Sequence, residues 1–155
     1  MQTDVLDEMV CFSLYAASRA VSQAYRAVLA ESDLTYPQFL VLVSLHRSPG
    51  STVSELGQAM HLDSGTLSPL LQRLEARGLL TRERHRDDER VVNVLITDAG
   101  HGVLATARGD VDCLSAEYGL ERGEVGELLA KLHRIAENMT QLTASRRRTD
   151  ELVGA

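Results

Sequence analysis

The sequence predicts a mainly α chain with one small β-hairpin, and three observations carry that expectation. Leu, Ala and Val abound, while aromatic residues make up 4% of the 155 positions and Trp is absent, a composition that suits helix packing better than a β-sandwich. Apolar residues recur at three- and four-residue steps over most of the chain. The exception is "LLTRERHRDDERVVNVLIT", where β-prone runs at 79–84 and 90–96 flank the polar tip His85-Arg86-Asp87-Asp88-Glu89. At this length, with 44% hydrophobic residues, a single domain with its own core is expected.

The elements follow in order. Residues 6–30 contain no Gly or Pro, and Leu6, Met9, Val10, Leu14, Ala17, Val21, Ala24 and Val28 mark one face of a long amphipathic helix. Thr35 caps a second helix, with Pro37 in its first turn, Phe39, Leu40, Val43 and Leu45 as apolar contacts, and "SPG" as its stop. Thr52-Val53-Ser54-Glu55 is a capping box that opens a short helix ending near His61. Asp63 caps the next helix, which runs through Leu67, Leu70, Leu71 and Leu74 to Arg77, with Gly78 placed where a left-handed C-terminal residue belongs. Pro69 lacks an N–H that this helix would use, so a local bend is expected there.

Two short helices joined by a tight turn and followed at once by a charged hairpin have the order of a winged helix-turn-helix. In that arrangement the second short helix enters the major groove, and the hairpin tip reaches the flanking backbone or the minor groove. Residues 35–97 are assigned to this part. Helical stretches at 98–118 and 121–145 come next, the second with heptad-like Val125, Leu128, Leu129, Leu132, Ile135, Met139 and Leu142, the first weakened by Gly100, Gly102 and Gly109. Residues 5–34 and 98–145 lie outside the winged part and need apolar partners, which a two-fold homodimer supplies. Two symmetric reading heads about one DNA turn apart suit a pseudo-palindromic operator in double-stranded DNA. Residues 146–155 are expected to form a flexible tail.

Net charge is −6, which taken alone argues against nucleic-acid binding. The distribution is uneven: residues 1–63 sum to −4, 64–96 to +1, 97–145 to −4 and 146–155 to +1. Arg73, Arg77, Arg82, Arg84, Arg86 and Arg90 all fall in the second segment, so any basic surface is concentrated there, although interleaved acids allow a merely solvated hairpin. On the recognition helix, Ser64, Thr66 and Ser68 are either ordinary helix-start residues or contacts to base edges and phosphates. Arg73, Arg77 and Arg86 suit phosphate positioning. The two cysteines give no CxxC, the histidines show no metal-ligand spacing, and no cofactor or metal is expected. With no long apolar run and no membrane segment, a cytoplasmic protein with reduced thiols is expected.

The stretch "LDSGTLSPLLQRLEARGLLTRERHRDDERVVNVLITDAG" resembles the MarR family of dimeric winged-helix repressors, and the likeness covers residues 6–145. Asp88-Glu89-Arg90 looks like the family's wing signature, which implies that Arg90 enters the minor groove and Asp88 orients it. "CFSLYAASRAVSQAYRAVLAESDLTYPQFLVL" is similar to the OhrR subgroup, which responds to organic hydroperoxide through an N-terminal cysteine held by the partner subunit's tyrosines. The resemblance implies Cys11 as the redox-sensing residue, Tyr25 and Tyr36 as those tyrosines, Tyr15 beside the cysteine, and Cys113 as a resolving cysteine in the penultimate helix.

Spacing adds an independent constraint. In one straight helix Tyr15 lies about 6 Å from Cys11 along the axis, and Tyr25 about 21 Å away, so Tyr25 can meet a Cys11 only from another chain. Alternatives stay open: Cys11 as a small buried hydrophobe, Tyr15 and Tyr36 as core residues, control by a non-covalent lipophilic or phenolic ligand, a thiol peroxidase, and an adaptor that never touches DNA.

Overall fold

The computed structural model describes residues 5–84 and 91–153, without the side chains of 7, 113–116, 122 and 147–153. The wing tip at 85–90, which carries the expected Arg86, Asp88 and Arg90, lies outside the described residues. A 3-10 turn at Val5–Glu8 precedes α1 (Val10–Val28), followed by α2 (Tyr36–Arg47), α3 (Val53–Met60), α4 (Ser64–Ala76), β1 (Leu80–Arg84), β2 (Val92–Ile96), α5 (Asp98–Ser115), a 3-10 turn at Ala116–Tyr118 and α6 (Arg122–Val153). The chain divides into two compact units, one ending at Ser115 and one starting at Ala116.

The first helix begins later than its apolar pattern suggests. The Met9 N–H closes a three-residue turn onto the Leu6 carbonyl at 3.0 Å, and Met9 is extended at φ −92° and ψ 114° before α1 starts. Cys11 therefore sits in the first turn of α1 rather than a turn and a half inside it. None of the eight residues of the expected apolar face is buried in the chain: Leu14, Val21 and Val28 are half-buried, the others are exposed, Val10 at 64%, and the enclosed residues at the far end are Tyr25 and the following Leu29.

The core of the first unit is built on α2 and the helix-turn-helix. Phe39, Val41, Leu42 and Leu45 of α2 meet Leu56 of α3 and Leu67, Leu71 and Leu74 of α4, the last three sharing one face by their three- and four-residue spacing. The expected capping box at Thr52 forms, and the expected cap at Thr35 is a second capping box, closed by Gln38. Gln38 Oε1 accepts the Thr35 N–H at 2.9 Å, and Glu55 accepts the Thr52 N–H at 2.8 Å while the Glu55 N–H donates to Thr52 Oγ1 at 3.2 Å. Helix α4 is assigned continuously through Pro69, at the loss of one ladder bond, since Pro69 has no N–H for the Gly65 carbonyl. It ends as expected, with Gly78 at φ 70° and the Leu79 N–H returning to the Leu74 carbonyl at 3.0 Å.

β1 and β2 pair antiparallel, with Leu80 opposite Ile96 and Arg84 opposite Val92. A bridge from Asn93 to Thr52 and the Val94 N–H on the Ser51 carbonyl at 2.9 Å fasten the wing to the start of α3. Helix α5 opens where the wing closes: Thr97 Oγ1 accepts the Gly100 N–H at 3.1 Å and donates to the Gly78 carbonyl at 2.7 Å. Helices α2 and α5 also meet through His46 and His101, whose Nδ1 atoms are 3.3 Å apart. The backbone of α6 continues past Ser145 to Val153, where a flexible tail is expected from the sequence over 146–155, because no Gly or Pro lies between Gly126 and Gly154 to stop it.

Gly100, which the sequence reading took as a weak helix residue, is required by contact. A Cβ there would lie 2.1 Å from the Leu79 carbonyl oxygen and 2.7 Å from Ile96 Cγ1, and neither the backbone nor a paired strand residue can give way cheaply. Gly100→Ala is expected to destabilise the chain by about 1–3 kcal/mol or more, read as a lower urea midpoint. Gly102→Ala, with open space around its Cα, is expected to leave the midpoint unchanged or raise it.

Candidate nucleic-acid interface and thiol site

With Leu67, Leu71 and Leu74 turned into the core, α4 presents its opposite face to solvent. Ser64, Thr66 and Arg73 are exposed and Ser68 is half-buried. Thr66 donates its hydroxyl to Asp63 Oδ2 at 3.1 Å and its N–H to Asp63 Oδ1 at 2.9 Å, so toward a ligand its oxygen can only accept. Ser68 lines a groove of about 410 Å³ with Thr52, Ser54 and Arg82, between the start of α3, α4 and the wing. Pro69 and Gln72 are also exposed and lie nearer the centre of the outward face than Ser68 does. Sequence reasoning passed over them, although counting in 3.6-residue steps from the three core leucines would have found them.

The arginines divide by partner. Arg82 is bound by Glu75 of α4: its Nε donates to Glu75 Oε2 at 2.8 Å, its terminal nitrogen makes a second bond, and its backbone N–H donates to Oε1 at 3.2 Å. Arg77, expected near phosphate, reaches across the surface to the link between α1 and α2 and donates to the Ser32 carbonyl at 3.3 Å and to the Asp33 carbonyl, with the Asp33 carboxylate 3.5 Å away. Arg73 has no ion pair among the described residues.

The cysteine and tyrosine residues form two groups at opposite ends of α1. At the start, Cys11 is exposed, which removes the buried-filler reading within the chain. One turn on, the Tyr15 ring lies 6.5 Å from that of Phe12, and Tyr15 Oη accepts from Arg19 at 3.1 Å. Arg19, four residues after Tyr15, is a further residue of this group that sequence reasoning missed; helix spacing was the available signal. At the far end, Tyr25 packs against Tyr36 with ring centroids 4.2 Å apart and planes tilted by 44°, and Phe39 adjoins Tyr25 at 6.5 Å. Because α1 is continuous from Val10 to Val28, about 21 Å of helix separates Cys11 from Tyr25, and one chain does not bring them together. A cavity of about 880 Å³ beside Tyr36 is lined also by Ser22, Arg26, Gln38, Arg73 and Arg77. Cys113 lies in α5, with its side chain outside the described residues. No cluster of three or more metal-ligating side chains occurs among the described residues, and none of their helices is long and apolar enough to cross a membrane.

A short helix, a tight turn, a helix with a polar outward face and an adjoining antiparallel wing define a winged-helix DNA-binding protein. Residues 34–92 match the model of the MarR family. The chain is 44% identical over 137 residues to the HTH-type transcriptional regulator TtmR of Methylorubrum extorquens, covering 88% of this chain and 67% of TtmR. It is 36% identical over 137 residues to the organic hydroperoxide resistance transcriptional regulator of Bacillus subtilis, covering 88% and 92% respectively. A solved structure of reduced AbfR bound to DNA superposes with a TM-score of 0.74 at 30% identity, over 87% of this chain and 94% of that one. The chain belongs to the MarR family of transcriptional regulators.

Three carboxyls in the reading head are held below their ordinary range: Glu55 by the N–H and then the hydroxyl of Thr52, Asp63 by the N–H and then the hydroxyl of Thr66, and Glu75 by hydrogen bonds from Arg82. Depressed carboxyls contribute stability that is fully present above their unfolded values, about 3.9 for Asp and 4.3 for Glu, and that is lost as pH falls through the folded values. Urea midpoints are expected to fall on acidification below about pH 4.5. Because the Glu75–Arg82 pair is about one-third exposed on both sides and screened by solvent, Glu75→Gln should cost about 0.5–1 kcal/mol at pH 7 and show a shallower acid decline than wild type.

Proposed function

We propose that the chain is a homodimeric repressor that leaves a pseudo-palindromic operator when an organic hydroperoxide oxidises Cys11. The observation that carries this reading is the division of the thiol site: an exposed cysteine in the first turn of α1, and a packed tyrosine pair at the other end of the same helix. Two such helices running antiparallel about an axis near Ser18 would set each Cys11 beside the other chain's Tyr25 and Tyr36. The exposed apolar residues Val10 of α1 and, described by itself, Val125, Leu128, Leu129, Met139 and Leu142 of α6 suit burial in such a dimer. The name of the Bacillus subtilis relative supports the choice of inducer.

In the proposed chemistry the Cys11 thiolate attacks the peroxide, breaking the O–O bond; sulfur is oxidised to the sulfenic acid and the organic fragment leaves as an alcohol after taking a proton. The sulfenic acid then condenses with a thiol, that of Cys113 on the partner chain in this reading, forming a disulfide and releasing water. Operator contacts are assigned to Ser64, Thr66, Ser68 and Arg73, with Arg86, Asp88 and Arg90 of the wing tip. A second reading, a non-covalent ligand in place of oxidation, draws on the 880 Å³ cavity beside Tyr36.

Operator binding is measured before and after an organic hydroperoxide for wild type, Cys11→Ser and Cys113→Ser, beside a non-reducing gel. Wild type should lose about a thousandfold in affinity, about 4 kcal/mol, Cys11→Ser should stay bound, and the covalent dimer should disappear in both variants. Release that persists in Cys11→Ser would sink the redox reading in favour of the ligand one.

A further inference from the structure

We propose that Arg77 is a positioning residue: it ties the end of the recognition helix to the elbow between α1 and α2 instead of touching DNA, and it carries the state of the tyrosine pair to α4. The second half of this proposal rests on the redox reading; the first does not.

The elbow is the short link between the two tyrosines. Tyr25 stands in the last turn of α1 and Tyr36 is the first residue of α2, so any repacking of their rings moves the connection between them. Within that connection the Leu34 N–H returns to the Leu29 carbonyl at 3.3 Å and the Asp33 N–H to the Ala30 carbonyl at 3.1 Å, so it moves as a unit. It is also a costly conformation. Asp33 has φ 49°, a left-handed backbone that side chains other than glycine adopt at some expense, and Ser32 Oγ is buried with no hydrogen-bond partner among the described residues.

The Arg77 guanidinium grips this unit at the Ser32 and Asp33 carbonyls. Arg77 is the C-cap residue of α4, while Ser64 and Thr66 stand at the other end of that helix. A shift of the elbow therefore pulls one end of α4 and tilts the end that carries the operator contacts. The planar guanidinium spans two carbonyls, which a lysine ammonium on its flexible stem does not reproduce. A phosphate contact, by contrast, is largely a matter of charge, and its removal lowers the salt dependence of binding by about one phosphate equivalent.

The test uses a duplex selected from a random-sequence library by the reduced wild-type protein. Dissociation constants are measured across a salt series for wild type, Arg77→Lys, Arg77→Ala and Arg73→Ala, before and after cumene hydroperoxide. Both Arg77 variants are expected to keep the wild-type salt slope and to reduce the ratio of oxidised to reduced dissociation constants by about tenfold, Lys as severely as Ala. Arg73→Ala is expected to lower the slope by about one. A slope lower by about one in Arg77→Ala and restored in Arg77→Lys would overturn the positioning role. An unchanged oxidised-to-reduced ratio in both Arg77 variants would overturn the coupling. If hydroperoxide fails to release wild type, the redox reading and the coupling fall together, and the slopes still decide whether Arg77 meets phosphate.

Discussion

The contact of Gly100 with the Leu79 carbonyl closes a seam at which four boundaries coincide. The recognition helix ends at Gly78, the wing starts at Leu80 and ends at Ile96, and α5 opens after Thr97. Thr97 joins them all, since its N–H donates to the Leu79 carbonyl at 3.1 Å while its hydroxyl bonds the Gly78 carbonyl and caps α5. A one-residue slip of the hairpin would break this seam and turn Leu80 and Val94 out of the core, because strand side chains alternate faces. Register, wing placement and the direction of α5 are thus one decision. The Glu75–Arg82 pair then ties the wing to the last turn of α4, so the end of the recognition helix is braced twice.

Bracing has an electrostatic consequence. Arg82 is neutralised by Glu75 and Arg77 is occupied by the elbow, so fewer arginines of the basic segment remain to meet phosphate than the sequence holds. At the start of α4 the Asp63 carboxylate already takes the Thr66 N–H, and it places a negative charge where the helix dipole would otherwise attract phosphate. In a chain of net charge −6, non-specific attraction to DNA is correspondingly weak. The outward face of α4 is instead polar and largely uncharged, with Pro69 and Gln72 exposed beside Ser64 and Thr66.

Local grammar in the sequence was sufficient where each feature is set by a few neighbouring residues. The Thr35 cap, the capping box at Thr52, the Asp63 cap and the left-handed Gly78 all follow from side chains within one turn, and the apolar periodicity of α4 assigned its buried face. What escaped depends on contacts far apart in sequence. Nothing near Gly100 announces the Leu79 carbonyl, nothing near Arg77 announces Ser32 and Asp33, and in a run of arginines no spacing rule says which will find Glu75. The start of α1 escaped for a different reason: the apolar pattern continues through Leu6 and Met9, and only the backbone shows that these residues make a separate turn. That shift places Cys11 in the first turn, where it is exposed.

Helix α1 acts as a spacer, and its length decides where control can be exerted. Oxidation at its start and tyrosine packing at its end are separated by more than any side chain can span, so in the proposed dimer each event at one chain's cysteine is felt at the other chain's elbow. The energy needed is modest. A thousandfold loss of operator affinity corresponds to about 4 kcal/mol, and the elbow holds a left-handed Asp33 and a buried Ser32 hydroxyl with no partner among the described residues, the latter costing about 1–3 kcal/mol. The turn bonds to Leu29 and Ala30 hold that conformation from within, and the Arg77 bonds hold it from α4. In the proposed dimer a change in the packing of Tyr25 on Tyr36, made from the partner's Cys11, would reach this elbow, and the Arg77 bonds lead from there to the end of the recognition helix.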